Sequence, residues 1–111
     1  MKVAELADKL HLECLTKEGD LNLEVTGCYI GDLLSWVMGR AMEGDAWITV
    51  MSNVNIIAVA TLSNVSCIIL AESVTPDPAV LEKADAQGIN VLRSTLSSFE
   101  IAKQISEVVG L

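Results

Sequence analysis

Two apolar segments in the middle of the chain constrain its fold most strongly. Residues 46–51 and 67–71 lack the polar alternation of a strand with one solvent-exposed face. Continuous apolar runs of this length are typical of parallel strands that are buried on both faces. Two parallel strands need a crossover between them, and residues 53–62, with Ile56, Val59 and Ala60 on one side, are predicted to form that crossover as a helix.

Clear start and stop signals define the units that follow. Asp77 is predicted to cap a helix that begins at Pro78 and ends at Gly88, and residues 89–92 form a short strand. Residues 97–100 read as a capping box for a last helix, in which Phe99, Ala102, Ile105 and Val109 keep helical spacing. The repeated order of strand and helix predicts a single three-layer α/β domain, with a mainly parallel sheet and right-handed crossovers.

The amino-terminal third has a different pattern. Residues 3–10 show the apolar spacing of a short amphipathic helix, and residues 12–14 and 21–25 then alternate apolar and polar side chains. This alternation predicts a β-hairpin. Gly27 and Gly31 are expected to bracket a turn, and Asp32 is expected to cap a helix that is apolar nearly all round.

That predicted helix is the candidate subunit interface. Trp36 is expected at the interface with Leu33 and Val37, with core burial as the alternative, whereas Trp47 in the apolar strand is expected in the core. These residues predict a homodimer.

Composition limits the class of protein. The chain has 111 residues, of which 51% are hydrophobic and 20% charged, so residues 1–111 are expected to form one domain and not a disordered segment. The net charge is −8 and the 7 Lys and Arg residues are scattered singly, so neither a nucleic acid nor a membrane is an expected partner.

Targeting signals and cysteines point to the cytoplasm. The amino terminus lacks a signal-peptide pattern, and no stretch reaches the length of apolar residues that a membrane helix needs. Cys14, Cys28 and Cys67 lack C-x-x-C spacing and are expected to be buried apolar residues in a reducing compartment.

Polar residues follow each of three predicted strands, where ligands bind in open parallel sheets. Each loop precedes a helix amino terminus, which favours an anion. The candidate ligand-binding residues are Ser52, Asn53, Asn55, Glu72, Ser73, Asp77, Arg93, Ser94, Thr95 and Ser98. Most of these residue types also cap helices, which is the structural alternative. Arg93 is the only basic residue among them, and its alternative role is an ion pair with an acid such as Glu72.

Catalysis is the weaker hypothesis. His11 is the only histidine and lies in the amino-terminal third, away from the predicted strand ends, so neither a metal site nor a Cys–His or Ser–His pair is expected. No cofactor is expected, because the common nucleotide-binding glycine motifs are absent. An acid–base enzyme that uses Glu72, Asp77 and Arg93 stays an alternative.

The order of elements and several local strings resemble the DRTGG domain family, whose fold is similar to that of the amino-terminal domain of HPr kinase/phosphorylase. The resemblance runs from about Val3 to Val109. The resembling strings are residues 25–35, residues 47–49 leading to 55–57, residues 68–70 leading to 76–77, and residues 90–92 leading to 98–100.

The family takes its name from an Asp-Arg pair after one strand and a Thr-Gly-Gly after the next. Those places hold Ser52-Asn53 and residues 71–73 here. The resemblance therefore implies a divergent member whose phosphate-type site is altered or lost. It also implies a regulatory or sensory module rather than an enzyme. With the three polar loops at one sheet edge and no catalytic set, the prediction is a non-catalytic module that binds a small anionic or nucleotide-like ligand at the strand ends and signals to a partner protein. The alternative is a ligand-free homodimeric assembly or adaptor protein for a larger enzyme complex.

Overall fold

The fold is built on one five-stranded sheet with helices on both faces. A computed structural model describes residues 1–111. In chain order the elements are α1 (Val3–Lys9), β1 (Glu13–Cys14), β2 (Gly27–Ile30), α2 (Leu34–Arg40), β3 (Asp45–Thr49), α3 (Asn55–Ser63), β4 (Cys67–Leu70), α4 (Pro78–Gln87), β5 (Val91–Arg93) and α5 (Ser98–Val109). None of the five helices has the length and apolar character that crossing a bilayer requires.

Strands β2 to β5 are parallel, as predicted for an α/β domain. The spatial order is β1-β5-β4-β3-β2, so β1 and β2 are the edge strands. β3 and β4 pair in the register Trp47 with Ile68, and β1 pairs with β5 antiparallel in the register Glu13 with Arg93. Because β2 to β5 run the same way, their carboxyl ends lie along one edge of the sheet.

The central strands are buried on both faces, which explains their continuous apolar sequence. Ile48, Ile69 and Leu92 belong to a core shared with Ile101 and Ile105 of α5. On the opposite face, Trp47, Ile68 and Val91 pack with residues of α2, α3 and α4, and Trp47 is fully buried as expected. Each such side chain contributes about 1.5–3 kcal/mol through removal of apolar surface from water.

The helix signals in the carboxyl-terminal half are largely confirmed. α4 begins at Pro78 and ends before Gly88, which has the left-handed conformation of a C-cap. Ser97 caps α5 by accepting a hydrogen bond from the backbone N–H of Glu100. Phe99, however, is 72% exposed, and Ile101 and Ile105 form the buried face of α5 in its place.

The predicted amino-terminal hairpin is wrong. Its first half, β1, pairs with β5 at the edge of the main sheet, and residues 21–25 form no strand. Those residues bond instead to the start of the chain: Val3 N–H donates to Leu23 O at 2.9 Å and Val25 N–H donates to Met1 O at 2.7 Å. Burial of Val25 against α1 accounts for its apolar character.

The turn predicted between Gly27 and Gly31 is also wrong, because residues 27–30 form the edge strand β2 and Gly31 follows it directly. Asp32 does not cap α2. Its carboxylate accepts hydrogen bonds from Thr49 Oγ1 (2.7 Å) and Val50 N–H (2.9 Å), so it ties the end of β2 to the end of β3.

The three cysteines differ in burial, so the expectation that all are buried holds for one of them. Cys67 is fully buried, Cys28 is partly buried and Cys14 is exposed on the edge strand β1. Burial raises the pKa of Cys67 to about 12, and burial followed by the neighbouring Asp45 raises the pKa of Cys28 to about 11.

Candidate functional site

The carboxyl end of β5 opens into a surface cavity of about 560 Å³. We call it the β5 cavity. It is lined by Lys9, Leu10, His11, Glu13, Arg93, Ser94, Thr95, Leu96 and Gln104. Of the predicted ligand-binding residues, the structure brings Arg93, Ser94 and Thr95 together here.

His11 lies in the same cavity, although the sequence placed it away from the strand ends. α1 ends just before His11, whose left-handed backbone (φ 54°) turns the chain into β1. Because β1 runs antiparallel to β5, the start of β1 meets the end of β5. The turn after α1 is therefore part of the edge where parallel strands end.

Arg93 is held by two neighbours at the mouth of β5. Its NH2 group donates to Glu13 Oε1 at 2.7 Å and its Nε–H donates to the same oxygen at 3.3 Å. Its NH1 group donates to Thr75 Oγ1 at 2.9 Å. An ion pair for Arg93 is thus observed, but the acid is Glu13 from β1 and not Glu72. Three of the five guanidinium N–H donors are used within the chain, two of them by Glu13.

The loop after β4 has the backbone shape that glycines favour. Glu72 (φ 56°) and Ser73 (φ 59°) are both left-handed, at the positions where the resemblance places the two glycines. Their N–H groups donate to Leu96 O and Ser94 O, each at 2.8 Å. These donors link the β4 loop to the β5 loop and are therefore not available to an anion.

The loop after β3 fits the helix-cap interpretation. Asn53 Oδ1 accepts a hydrogen bond from Asn55 N–H at 2.9 Å, in the last turn before α3. Asp77 occupies the N-cap position of α4, although its carboxylate makes no capping hydrogen bond, and Ser98 is the first residue of α5. None of the cavities in the structure is lined by Ser52, Asn53, Asn55, Glu72, Ser73, Asp77 or Ser98.

Basic side chains outnumber acidic ones in the β5 cavity, although the protein as a whole is acidic. Lys9, His11 and Arg93 line it together with one carboxylate, Glu13, whereas the whole chain carries 15 acidic residues. Sequence reasoning missed Lys9, His11 and Glu13 because no local signal shows that β1 pairs with β5. No group of three or more His, Cys, Asp or Glu side chains in the structure could hold a metal ion.

The predicted interface residues fall on different sides of α2. Trp36 is 52% exposed and Leu33 is 56% exposed, and their spacing places them on one face of the helix. The Arg40 guanidinium carbon lies 3.7 Å from the centre of the Trp36 ring, in a cation–π contact. Val37 is fully buried in the core and is not part of this surface.

Comparison with known proteins agrees with this architecture. The structure resembles the crystal structure of the CBS and DRTGG domains of the regulatory region of Clostridium perfringens pyrophosphatase, complexed with the activator diadenosine tetraphosphate. The TM-score is 0.70 at 19% sequence identity, and the likeness covers 94% of this chain and 45% of that one. No curated protein matches. The family model of the DRTGG domain matches residues 5–108, so the chain belongs to the DRTGG domain family.

Proposed function

We propose that this domain is a non-catalytic regulatory module that binds a small anionic ligand in the β5 cavity and reports its presence to a partner protein. One observation carries the proposal. Three of the 8 basic side chains in the sequence, counting 7 Lys and Arg and 1 His, line one cavity of a chain whose net charge is −8. Positive charge concentrated in a concave site raises the local concentration of an anion, even when the rest of the protein is negative.

The donors in the cavity suit a phosphate or carboxylate group. Arg93 lines the cavity with its guanidinium, and the hydroxyl of Thr95 makes no hydrogen bond within the chain. Lys9 adds a positive charge, and His11 adds imidazole nitrogens that can form hydrogen bonds. A planar guanidinium beside hydroxyl and ammonium groups is a common set for a phosphoryl or carboxylate oxygen.

The lining also defines the ligand class. No Phe, Tyr or Trp side chain lines the cavity, and the His11 imidazole is its only ring, so stacking surface for a nucleobase is small. The proposed ligand is therefore recognised by its charge, and a nucleotide would bind here through its phosphates. A regulatory role is supported by the solved DRTGG-containing relative, which is the regulatory region of a pyrophosphatase with a bound activator.

Thermal unfolding with added anions tests the proposal. Inorganic phosphate, pyrophosphate, citrate and diadenosine tetraphosphate are added at constant ionic strength. At least one is expected to raise the melting temperature by several degrees at saturation, since a ligand that binds only the folded state stabilises it. Arg93→Gln should remove the shift. Arg40→Gln, which removes the same charge from α2, should keep it.

Two results would count against the proposal. One is the absence of any shift for all four anions at millimolar concentration. The other is an equal shift in wild type and in Arg93→Gln.

A second candidate function is a homodimeric assembly protein that uses the face of α2. Exposure of both Leu33 and Trp36 favours it, because large apolar side chains that share one exposed helix face mark interaction sites. Sedimentation of wild type against Trp36→Asp tests it. Wild type should be a dimer and the variant a folded monomer, and a variant that dimerises like wild type excludes this interface.

A further inference from the structure

We infer that Glu13 is an internal competitor for the β5 cavity: its carboxylate occupies the edge of Arg93 that an anionic ligand takes, so a ligand binds by displacing Glu13. The inference rests on the proposed function, because it concerns how the same cavity is regulated. It assigns to Glu13 a role that neither the family nor the charge of the cavity specifies.

The geometry of the pair supports displacement. One oxygen, Glu13 Oε1, faces both Nε and NH2 of Arg93, at 3.3 Å and 2.7 Å. Arginine binds carboxylates and phosphates along this same edge. Glu13 is thus placed where a ligand oxygen would bind, and the only carboxylate that lines the cavity already uses the site.

Arg93 is held more firmly in the protein than its partner Glu13. The Glu13 side chain is 59% exposed, whereas that of Arg93 is 25% exposed. Arg93 is also anchored on its far side by Thr75 Oγ1 at 2.9 Å, while the Glu13 side chain makes hydrogen bonds to Arg93 alone. Glu13 can therefore rotate into water while Arg93 keeps its position. An exposed ion pair is weak enough for a better anion to replace it.

Competition from the Glu13 carboxylate determines which anions can bind in the β5 cavity. A ligand must form a stronger contact with Arg93 than one carboxylate does, and it gains further attraction from Lys9. A multiply charged anion such as pyrophosphate meets this requirement better than a single carboxylate, because each added charge interacts with the same cations.

Calorimetric titration with pyrophosphate tests the inference in three proteins. Glu13→Gln removes the competing charge. Glu100→Gln is the matched control, because it removes one charge from α5 one turn before Gln104, which lines the cavity, without touching Arg93. Competition predicts that Glu13→Gln binds pyrophosphate about two- to fivefold more tightly than wild type, and that Glu100→Gln differs from wild type by less than about 1.5-fold.

A measurement on the wild-type protein keeps the test independent of any substitution. The side-chain carboxyl carbon of Glu13 and the Nε–H of Arg93 are followed by NMR during the titration. Both signals should shift and saturate with the same dissociation constant. A Glu13 signal that stays unchanged at saturation overturns the inference.

The outcomes separate this inference from the proposed function. Equal tightening in Glu13→Gln and Glu100→Gln, or none in Glu13→Gln, overturns competition but leaves the cavity as a binding site. Binding in Glu13→Gln alone, with none detectable in wild type, supports both. No binding of pyrophosphate to wild type or Glu13→Gln removes the site and the competitor together.

Discussion

At the scale of single residues, Glu72 and Ser73 show how a loop without glycine is held in the left-handed conformation that glycine favours. Both have a left-handed backbone, which costs a residue with a side chain about 1–2 kcal/mol. Hydrogen bonds from their N–H groups to Leu96 O and Ser94 O offset that cost. The conformation is therefore maintained by contacts with the next loop.

Replacing one of these residues with glycine should stabilise the domain. Ser73→Gly is expected to raise the free energy of unfolding by about 0.5–1 kcal/mol, because relief of the left-handed conformation exceeds the added freedom of the unfolded chain. Urea unfolding followed by tryptophan fluorescence measures it.

The matched control for this prediction is Ser52→Gly. Ser52 lies in the loop after β3 and has no positive φ, so glycine there should leave stability unchanged or lower it. Equal losses in the two variants would contradict the argument.

At the scale of elements, the parts of the fold that could be predicted are those with a local physical cause. β3 and β4 carry continuous apolar sequence because both of their faces are buried, and α4 is bounded by Pro78 and Gly88. β2 has no such signal. It is an edge strand with a partly exposed, glycine-containing sequence, so its strand conformation depends on pairing with β3.

The candidate site was predictable only in part, for a similar reason. Arg93, Ser94 and Thr95 follow a recognisable strand, so their place at the sheet edge can be read from the chain. His11 and Glu13 reach the same edge through a two-residue pairing with β5, about 80 positions away. Contacts of this range leave no pattern in a single sequence, and the alternation around β1 indicated a local hairpin.

At the scale of the whole molecule, the reactivity of the three cysteines can be used to follow unfolding of the domain, because they differ in burial. Cys14 is exposed, whereas burial raises the pKa of Cys28 to about 11 and that of Cys67 to about 12. A raised pKa keeps a thiol protonated and therefore unreactive at neutral pH.

Alkylation by iodoacetamide at pH 8, read by mass spectrometry, should give rapid modification of Cys14 alone in the folded protein. In urea all 3 cysteines should react. The slow reaction of Cys67 under native conditions should follow the rate or extent of global unfolding, because the residue lies at the centre of the sheet. Modification of Cys67 as fast as that of Cys14 would show that the core opens locally.

The two edges of the sheet differ in how readily another strand can join them. β1 closes one side with two residues, while β2 leaves four residues of parallel strand with no neighbour beyond them. Short edge strands resist pairing with other chains, and longer ones permit it. A strand from another chain would therefore form more backbone hydrogen bonds beside β2 than beside β1. The β2 edge lies on the side of the sheet opposite to β1 and the β5 cavity. A partner joined there would leave the cavity uncovered.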